Sequence, residues 1–426
     1  MILFDLVPGG ERVNESLKIF RNFLILLVIS VIIFISWLIY DYHFLKRYFS
    51  FIHAGGDPHI IGLNWYNPRF IISENNPENA WYNPVSENEK QTRSDLNTSL
   101  YDKVAKYAFF DGGQALLISR YGKIVYERYL NDTSRETLIN PQSMSKSLLA
   151  LVIGYALTQG NIKSLDTPIS EYLPDLSKDR RGSITIKNLL QMSAGLEQIS
   201  KDYSPYPWSR GVRQHFGTDF DYWVMQLQSI DPPGTKFEYN NNESNLLGMV
   251  LEKAVGMSYQ EYLLKEIWPA FGLGKAEAYL DKEYGSIMKS CCIFSRPIDW
   301  LKLGQIILDK GEINQKQVIY KEYINQMTTP SPTNQGYGYQ LWLKPVELRG
   351  GYVGEPKPKN PQIWWSSEIY LDTVYKFSGY GHHKTWIIPS LDMVVVRING
   401  NKWPKEPFDQ SKIPNMLIKS LGSNKS

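Results

Sequence analysis

Apolar and polar residues follow three different patterns along the 426 residues. The first is an unbroken run, FLILLVISVIIFISWLIY, from Phe23 to Tyr40: 18 residues without a charge. Coiled as a helix it would extend roughly 27 Å at ~1.5 Å per residue, close to the ~30 Å hydrocarbon core of a bilayer. The second pattern has no period. Residues 41 to 104 are rich in Asn, Pro and Glu, as in SENNPENAWYNPVSENEK, and they read as a connector. WYNP occurs in it twice, at Trp65–Pro68 and Trp81–Pro84, and predicts turns with aromatic anchors on the main domain. The third pattern begins near residue 105, where periods of two and of 3.6 alternate.

QALLISRYGKIVYERYL predicts two strands joined at Tyr121-Gly122, a hairpin. A strongly apolar helix begins near Ser143 and is stopped by Gly160. ITIKNLLQMSAGL, Ile184 to Leu196, predicts a short helix with a strand-like lead-in. ESNLLGMVLEKAVG and IDWLKLGQIILDKG have helical apolar spacing. KTWIIPSLDMVVVRING predicts two strands around Pro389-Ser390. Strands at both ends with helices between them predict an α+β domain: an antiparallel sheet made from both ends, flanked by helices, with a helical insertion.

Composition narrows this picture a little. A formal net charge of +3 gives no argument for nucleic acid. The two cysteines, Cys291 and Cys292, are adjacent. Neighbouring cysteines rarely bridge each other, so no disulfide framework is expected, and no zinc-type Cys/His spacing is present. Around the apolar run, Arg21 and Lys46 can reach the two interfaces, and Trp37 and Tyr40 suit an interfacial position. No small-residue cleavage site follows the run, which favours an uncleaved anchor over a removed signal peptide. Arg12, Lys18 and Arg21 precede it, which favours the N-terminus inside and the bulk of the chain on the periplasmic or extracytoplasmic side.

The helix near 143 opens with Ser143-Met-Ser-Lys146, which puts a hydroxyl and an amine on one face, one turn apart. A serine is a weak nucleophile and needs an adjacent base. An ordinary lysine is neutral in only about one molecule in 2500 at pH 7. Burial in LLALVIGYAL would lower its pKa and free the amine to accept a proton. The free N–H groups at the helix start can serve as oxyanion donors. The step alone is weak, because Ser286 and Lys289 repeat it. The second copy lacks a downstream partner and reads as structural. The first has one: a Pro-Pro-Gly-Thr turn, a short strand, Tyr239-Asn240-Asn241 and an apolar helix. A phenol beside a Ser–Lys pair can relay a proton, and an asparagine can donate to a substrate carbonyl or bond the lysine.

Together these residues resemble the serine β-lactamase/penicillin-binding-protein superfamily over about residues 105 to 420. Tyr-x-Asn in place of Ser-Asp-Asn resembles the class C β-lactamase-like branch, which includes esterases, D-aminopeptidases and 6-aminohexanoate-dimer hydrolases. SMSKSLLALVIGYALTQGNIKSLDTPISEYLP is especially similar to the last group. The resemblance implies a β-lactamase/transpeptidase-like fold and no cofactor. It implies Ser143 as acylated nucleophile, Lys146 as its activator, Tyr239 as general acid/base, and Asn241 as a group orienting substrate and lysine. The third family motif, often Lys-Thr-Gly or His-x-Gly, falls on Phe377-Ser378-Gly379, where Gly379 alone matches. The Tyr380 N–H would pair with that of Ser143 as the oxyanion hole. Without the cationic residue, esters or amides lacking a carboxylate are favoured over β-lactams and D-Ala-D-Ala peptides.

His382 and His383 follow closely and are expected to border the pocket or the surface, without a third metal ligand nearby. Arg397 is expected to be a solvent-facing strand residue, with contact to a substrate acid group as the alternative. The chain then divides into a short cytoplasmic segment (1–19), a transmembrane anchor (20–40), the connector (41–104), a serine hydrolase domain (105–420) and a tail (421–426). Two functional classes remain open: a membrane-anchored hydrolase acting on a small or peptide-like ester or amide, and a catalytically silent binding or sensing module. Within the first class, a β-lactamase or DD-peptidase is the second choice. Oligomeric state and natural substrate are not legible.

Overall fold

The computed structural model of the chain describes residues 9–53, 65–75, 98–110, 112–199, 206–344, 369–400 and 408–422. The second WYNP copy, the first eight residues and the last four lie outside them. The N-terminal helix α1 runs from Gly9 to Tyr40, starting well before the apolar run, because neither Pro nor Gly interrupts residues 11–40. Its apolar stretch Leu17–Tyr40 is exposed along its length, and at its end the Tyr40 hydroxyl donates to Asp219 Oδ2 at 3.0 Å. A short helix α2 (Tyr42–His53) follows and buries Phe44, Tyr48 and Phe51 against Phe216, Tyr279 and Phe294 of the main body. Trp65 and Tyr66 of the first WYNP copy join the same aromatic cluster. Arg47 fixes the joint. Its buried guanidinium lies over the Tyr279 ring and donates to the carbonyls of Asn67 (2.9 Å), Gly217 (3.2 Å) and Leu280 (2.8 Å).

Strand β1 (Arg69–Ser73) and helix α3 (Thr98–Ala108) precede the hairpin β2 (Gly113–Arg120) and β3 (Lys123–Tyr129). The hairpin turns where the sequence predicts: Tyr121 and Gly122 are both left-handed, at φ 52° and 70°, the conformation that matches strand twist in a two-residue turn. The insertion contains α4 (Ser145–Thr158), α5 (Ile186–Leu190), α6 (Arg210–Phe216), α7 (Phe220–Met225) and α8 (Asn241–Val255). It also contains β4 (Ala276–Tyr279), β5 (Ile293–Ser295) and α9 (Pro297–Leu308). The chain then closes the main sheet with β6 (Tyr375–Gly379), β7 (His383–Ile388) and β8 (Met393–Asn399), and ends in α10 (Lys412–Leu421).

The main sheet is antiparallel in the order β3-β2-β8-β7-β6, so the two ends of the catalytic region do meet, through β2 and β8. A smaller sheet runs β1-β4-β5. Alternation along the strands divides the core. Ala115, Leu117, Phe377, Ile387, Val394 and Val396 face the helical insertion, while Leu116, Ile118, Trp386, Ile388 and Val395 are covered by α3 and α10. Helix α9 lies close on the inner face because Gly304 has no side chain: a Cβ there would come within 2.6 Å of Val394.

Two expectations are corrected here. Arg397 is not solvent-facing. Both faces of β8 are covered, and Arg397 is wholly buried, donating to the carbonyls of Ala108 (2.8 Å) and His382 (3.0 Å) with Phe408 stacked on its guanidinium. Cys291 and Cys292 are disulfide-bonded to each other. The chain reverses at this point into β5, with Cys292 in the left-handed region at φ 68°, and that turn brings the neighbouring side chains together.

Candidate active site

The nucleophile candidate sits at the mouth of α4. Asn140 accepts from the Gln142 N–H, Gln142 adopts φ 52°, and a single 3₁₀ turn (Gln142–Met144) feeds the helix. The turn leaves Ser143 half-buried and the following residues sealed, Lys146 at 2% exposure. Lys146 Nζ donates to Ser143 Oγ at 2.9 Å and to the Ser290 carbonyl at 3.0 Å. No carboxylate pairs with it among the described residues, and burial pushes its pKa down to about 7. The Tyr239 ring centroid lies 5.2 Å from the same Nζ. Ser143, Lys146 and Tyr239 thus meet in one place, although 96 residues separate the first from the last.

The segment bearing Tyr239 is held on both sides. Gln198 donates to the Tyr239 carbonyl at 3.0 Å, and Asn240 caps α8 by accepting from the Asn242 N–H at 3.0 Å. Asn241, half-buried, therefore begins the first turn of α8 beside the tyrosine. The Tyr239 ring packs against Trp342 (5.5 Å) and Tyr337 (6.3 Å), and Phe237 adds to this aromatic wall. Trp342 exchanges two backbone hydrogen bonds with Lys376, which fastens the wall to the edge of the main sheet.

Gly379 explains the approach of that edge to the nucleophile. A side chain there would overlap the Pro141 carbonyl, two residues before Ser143. Tyr380 follows directly at the end of β6. Ser378 faces the other way. It pairs across the strands with Lys384, whose amine donates to Ser378 Oγ at 3.0 Å and to the Gly379 carbonyl at 3.2 Å. Lys384 shares the Trp386 face, so it does not replace the cation missing at Phe377, which is buried on the inner face. His382 and His383 are at 2% and 5% exposure, which removes the surface alternative and keeps the pocket one; His383 Nδ1 accepts from the Asn399 N–H.

Several supporting groups were not legible. The Ser290 carbonyl is a backbone acceptor and leaves no residue-type signal; Asn245 Oδ1 holds it by accepting the Ser290 N–H at 2.9 Å. Gln340 links three helices: its carbonyl accepts from Ser147, its Oε1 from Ser244, and its amide donates to the Leu189 carbonyl. Glu243 is buried beneath the site with its carboxylate accepting the Ala194 N–H, and burial raises its pKa well above the carboxylate range. His215 on α6 has its pKa lowered by burial, with the nearby Lys146 charge adding to the effect. Ser286 and Lys289 are turned away from this chemistry. Both bond the Asp221 carboxylate, at 2.9 and 2.6 Å.

The model of the Beta-lactamase family matches residues 108–417. The chain belongs to that family. This beta-lactamase-family chain is a serine hydrolase of the esterase/amidase-like kind. It is 21% identical over 305 residues to the 6-aminohexanoate-dimer hydrolase of Paenarthrobacter ureafaciens, covering 68% of this chain and 72% of that one. A Bacillus anthracis protein provisionally described as a 6-aminohexanoate-dimer hydrolase superposes with a TM-score of 0.60 at 19% identity, covering 85% of this chain and 90% of that one. EstCE1, a hydrolase with promiscuous acyltransferase activity, superposes at 0.56 with 15% identity, covering 78% and 99%. These superpositions establish the α+β β-lactamase/transpeptidase-like fold with its helix-flanked antiparallel sheet.

Proposed function

We propose that this family member is a membrane-anchored hydrolase that cleaves an ester or amide through an acyl-enzyme on Ser143. The observation that carries the reading is the 2.9 Å contact between Ser143 Oγ and a buried, acid-free Lys146 amine. With the amine neutral, its lone pair takes the Ser143 proton as Oγ adds to the substrate carbonyl carbon. The Ser143 and Tyr380 N–H groups hold the resulting oxyanion, each donor worth ~10²–10³ in rate. Tyr239 protonates the departing alcohol or amine, and then takes a proton from the water that releases the acyl group. Asn241 orients the substrate carbonyl.

Phe377 stands where many relatives carry a cation, and Lys384 lies on the opposite face. This favours neutral acyl groups over substrates recognised through a carboxylate. The aromatic wall of Phe237, Tyr239, Tyr337 and Trp342 offers such groups an apolar face. Anchoring is supported by α1. The 18-residue apolar window within Leu17–Tyr40 has a mean hydropathy of 2.9 and is unburied, so water would meet a continuous apolar surface unless lipid covers it. The hydrolase domain then lies on the extracytoplasmic side.

A fluorophosphonate probe tests the chemistry: labelling of the intact chain that disappears in Ser143→Ala is expected, and no labelling at any pH would end the acyl-enzyme reading. A panel of p-nitrophenyl esters, aminohexanoate oligomers, D-amino-acid amides and nitrocefin ranks the substrates. Efficient turnover of nitrocefin above the esters would overturn the preference for neutral acyl groups. Membranes washed with alkaline carbonate should retain the chain; release into the wash would remove the anchor.

A further inference from the structure

We propose that the Cys291–Cys292 disulfide is a thiol-reducible modification site that positions the carbonyl acceptor of Lys146; the proposal rests on the reading of Lys146 as activator of Ser143. The two cysteines directly follow Ser290, and the segment they lie in is tied to the catalytic helix on both sides. Before them, the Ser290 carbonyl accepts from Lys146 Nζ at 3.0 Å. After them, the Ile293 N–H donates to Ser145 Oγ at 3.4 Å. Ser145 and Lys146 belong to the Ser-x-x-Lys step itself. The Ser290 N–H is in turn held by Asn245 Oδ1 at 2.9 Å, one helical turn past Asn241 on α8. A disulfide-bonded dipeptide therefore sits between one hydrogen bond to the activating amine and another to the residue before it on the same helix.

The dipeptide also has a conformation that needs holding. Cys292 is left-handed at φ 68°, a region that a non-glycine residue adopts infrequently. Cys292 is buried in the aromatic cluster with Phe44, Tyr48 and Phe294, whereas Cys291 is only half-buried. Reduction begins at the more accessible sulfur. An external thiolate attacks Cys291 Sγ and expels the Cys292 thiolate, which takes a proton. A second external thiolate attacks the external sulfur of the mixed disulfide, releasing Cys291 as a thiol and leaving one external disulfide. Two electrons and two protons are gained by the chain. Two unbonded sulfurs cannot stay at bonded separation, so the turn opens and carries the Ser290 carbonyl away from Lys146. The amine loses an acceptor that favours its ammonium form and fixes its direction. A misplacement of about 1 Å in such a group costs up to ~10²-fold in rate.

The test uses the full chain in detergent micelles. Its acylation rate by a fluorophosphonate probe is followed against pH, before and after dithiothreitol, with thiols counted by maleimide mass shift. Two released thiols, acylation slower by about tenfold or more, an acidic limb displaced to lower pH, and recovery on reoxidation are expected. The Cys291→Ser/Cys292→Ser double variant should behave as the reduced enzyme and ignore dithiothreitol. Equal rates and limbs in both redox states overturn the proposal, as do free thiols already present before reduction. A slower rate with an unmoved limb means a merely structural bridge and also overturns it. Failure of the oxidised chain to label at Ser143 defeats the nucleophile reading, and the proposal falls with it.

Discussion

Two Ser-x-x-Lys steps in one chain end in opposite states. Lys146 and Lys289 are both buried, at 2% and 0% exposure. Lys289 forms ion pairs with Asp221 at 2.6 Å and Glu252 at 3.5 Å, and Ser286 shares the Asp221 carboxylate. Lys146 meets a hydroxyl, a carbonyl and an aromatic ring. Burial alone does not make a base. What separates the two sites is the carboxylate, which compensates the buried charge at one and is missing at the other. The spacing that both share is only a way of placing two groups one turn apart.

The largest effect that could break this contrast is a double comparison. Lys146→Ala should lower acylation by ~10⁴-fold or more, because the members of a nucleophile–base unit fail together. Lys289→Ala should leave the acylation rate within about threefold and lower unfolding stability by about 3 kcal/mol, since it strands two acids. Probe labelling and a denaturant melt read both. Equal losses of activity would mean that Lys146 acts structurally. Next comes Tyr239→Phe, which should slow turnover by ~10²–10³-fold while Ser143 remains labelled by fluorophosphonate, if the phenol moves protons. Unchanged turnover would remove Tyr239 from the mechanism.

The pH profile sharpens the contrast further. Burial lowers the Lys146 pKa to about 7. Below that value the amine is protonated and cannot accept from Ser143. Acylation should therefore fall about tenfold per pH unit on the acid side and level off above neutrality. A limb near the ordinary lysine range would show that the amine keeps its charge. The smallest effect belongs to Asp221→Asn, which removes one carboxylate of the Lys289 cluster, keeps an amide oxygen in its place and leaves Glu252 as the ion-pair partner. It should lower stability by about 1 kcal/mol and leave the pH limb in place, measured by a thermal melt and the same profile.

Much of the frame was legible because local signals and tertiary position agree. Tyr121-Gly122 turns the hairpin, Gly160 follows the helix that carries Lys146, and Pro389 separates two strands. Ser143, Lys146 and Tyr239 could be picked out as candidates because each side chain declares its own chemistry, and the fold brings the three together. Arg397 was misread for the opposite reason: a strand shows its alternation, but not whether a helix covers the outer face, and α3 and α10 do. The Ser290 carbonyl carries no side-chain signature. Lys384 reaches Ser378 through a register between strands that the linear order does not print. The cysteine bridge depended on one left-handed backbone angle.

The approach of the sheet edge to the candidate nucleophile is governed by an atom that is not there. Strand β6 meets the Pro141 carbonyl at Gly379, where a hydrogen stands in place of a methyl group. That single vacancy acts as a calliper, setting the gap between the sheet edge and the serine-bearing turn. Even alanine at 379 would have to prise the two apart, and any relative bearing a larger residue there must obtain its closeness from a different backbone path.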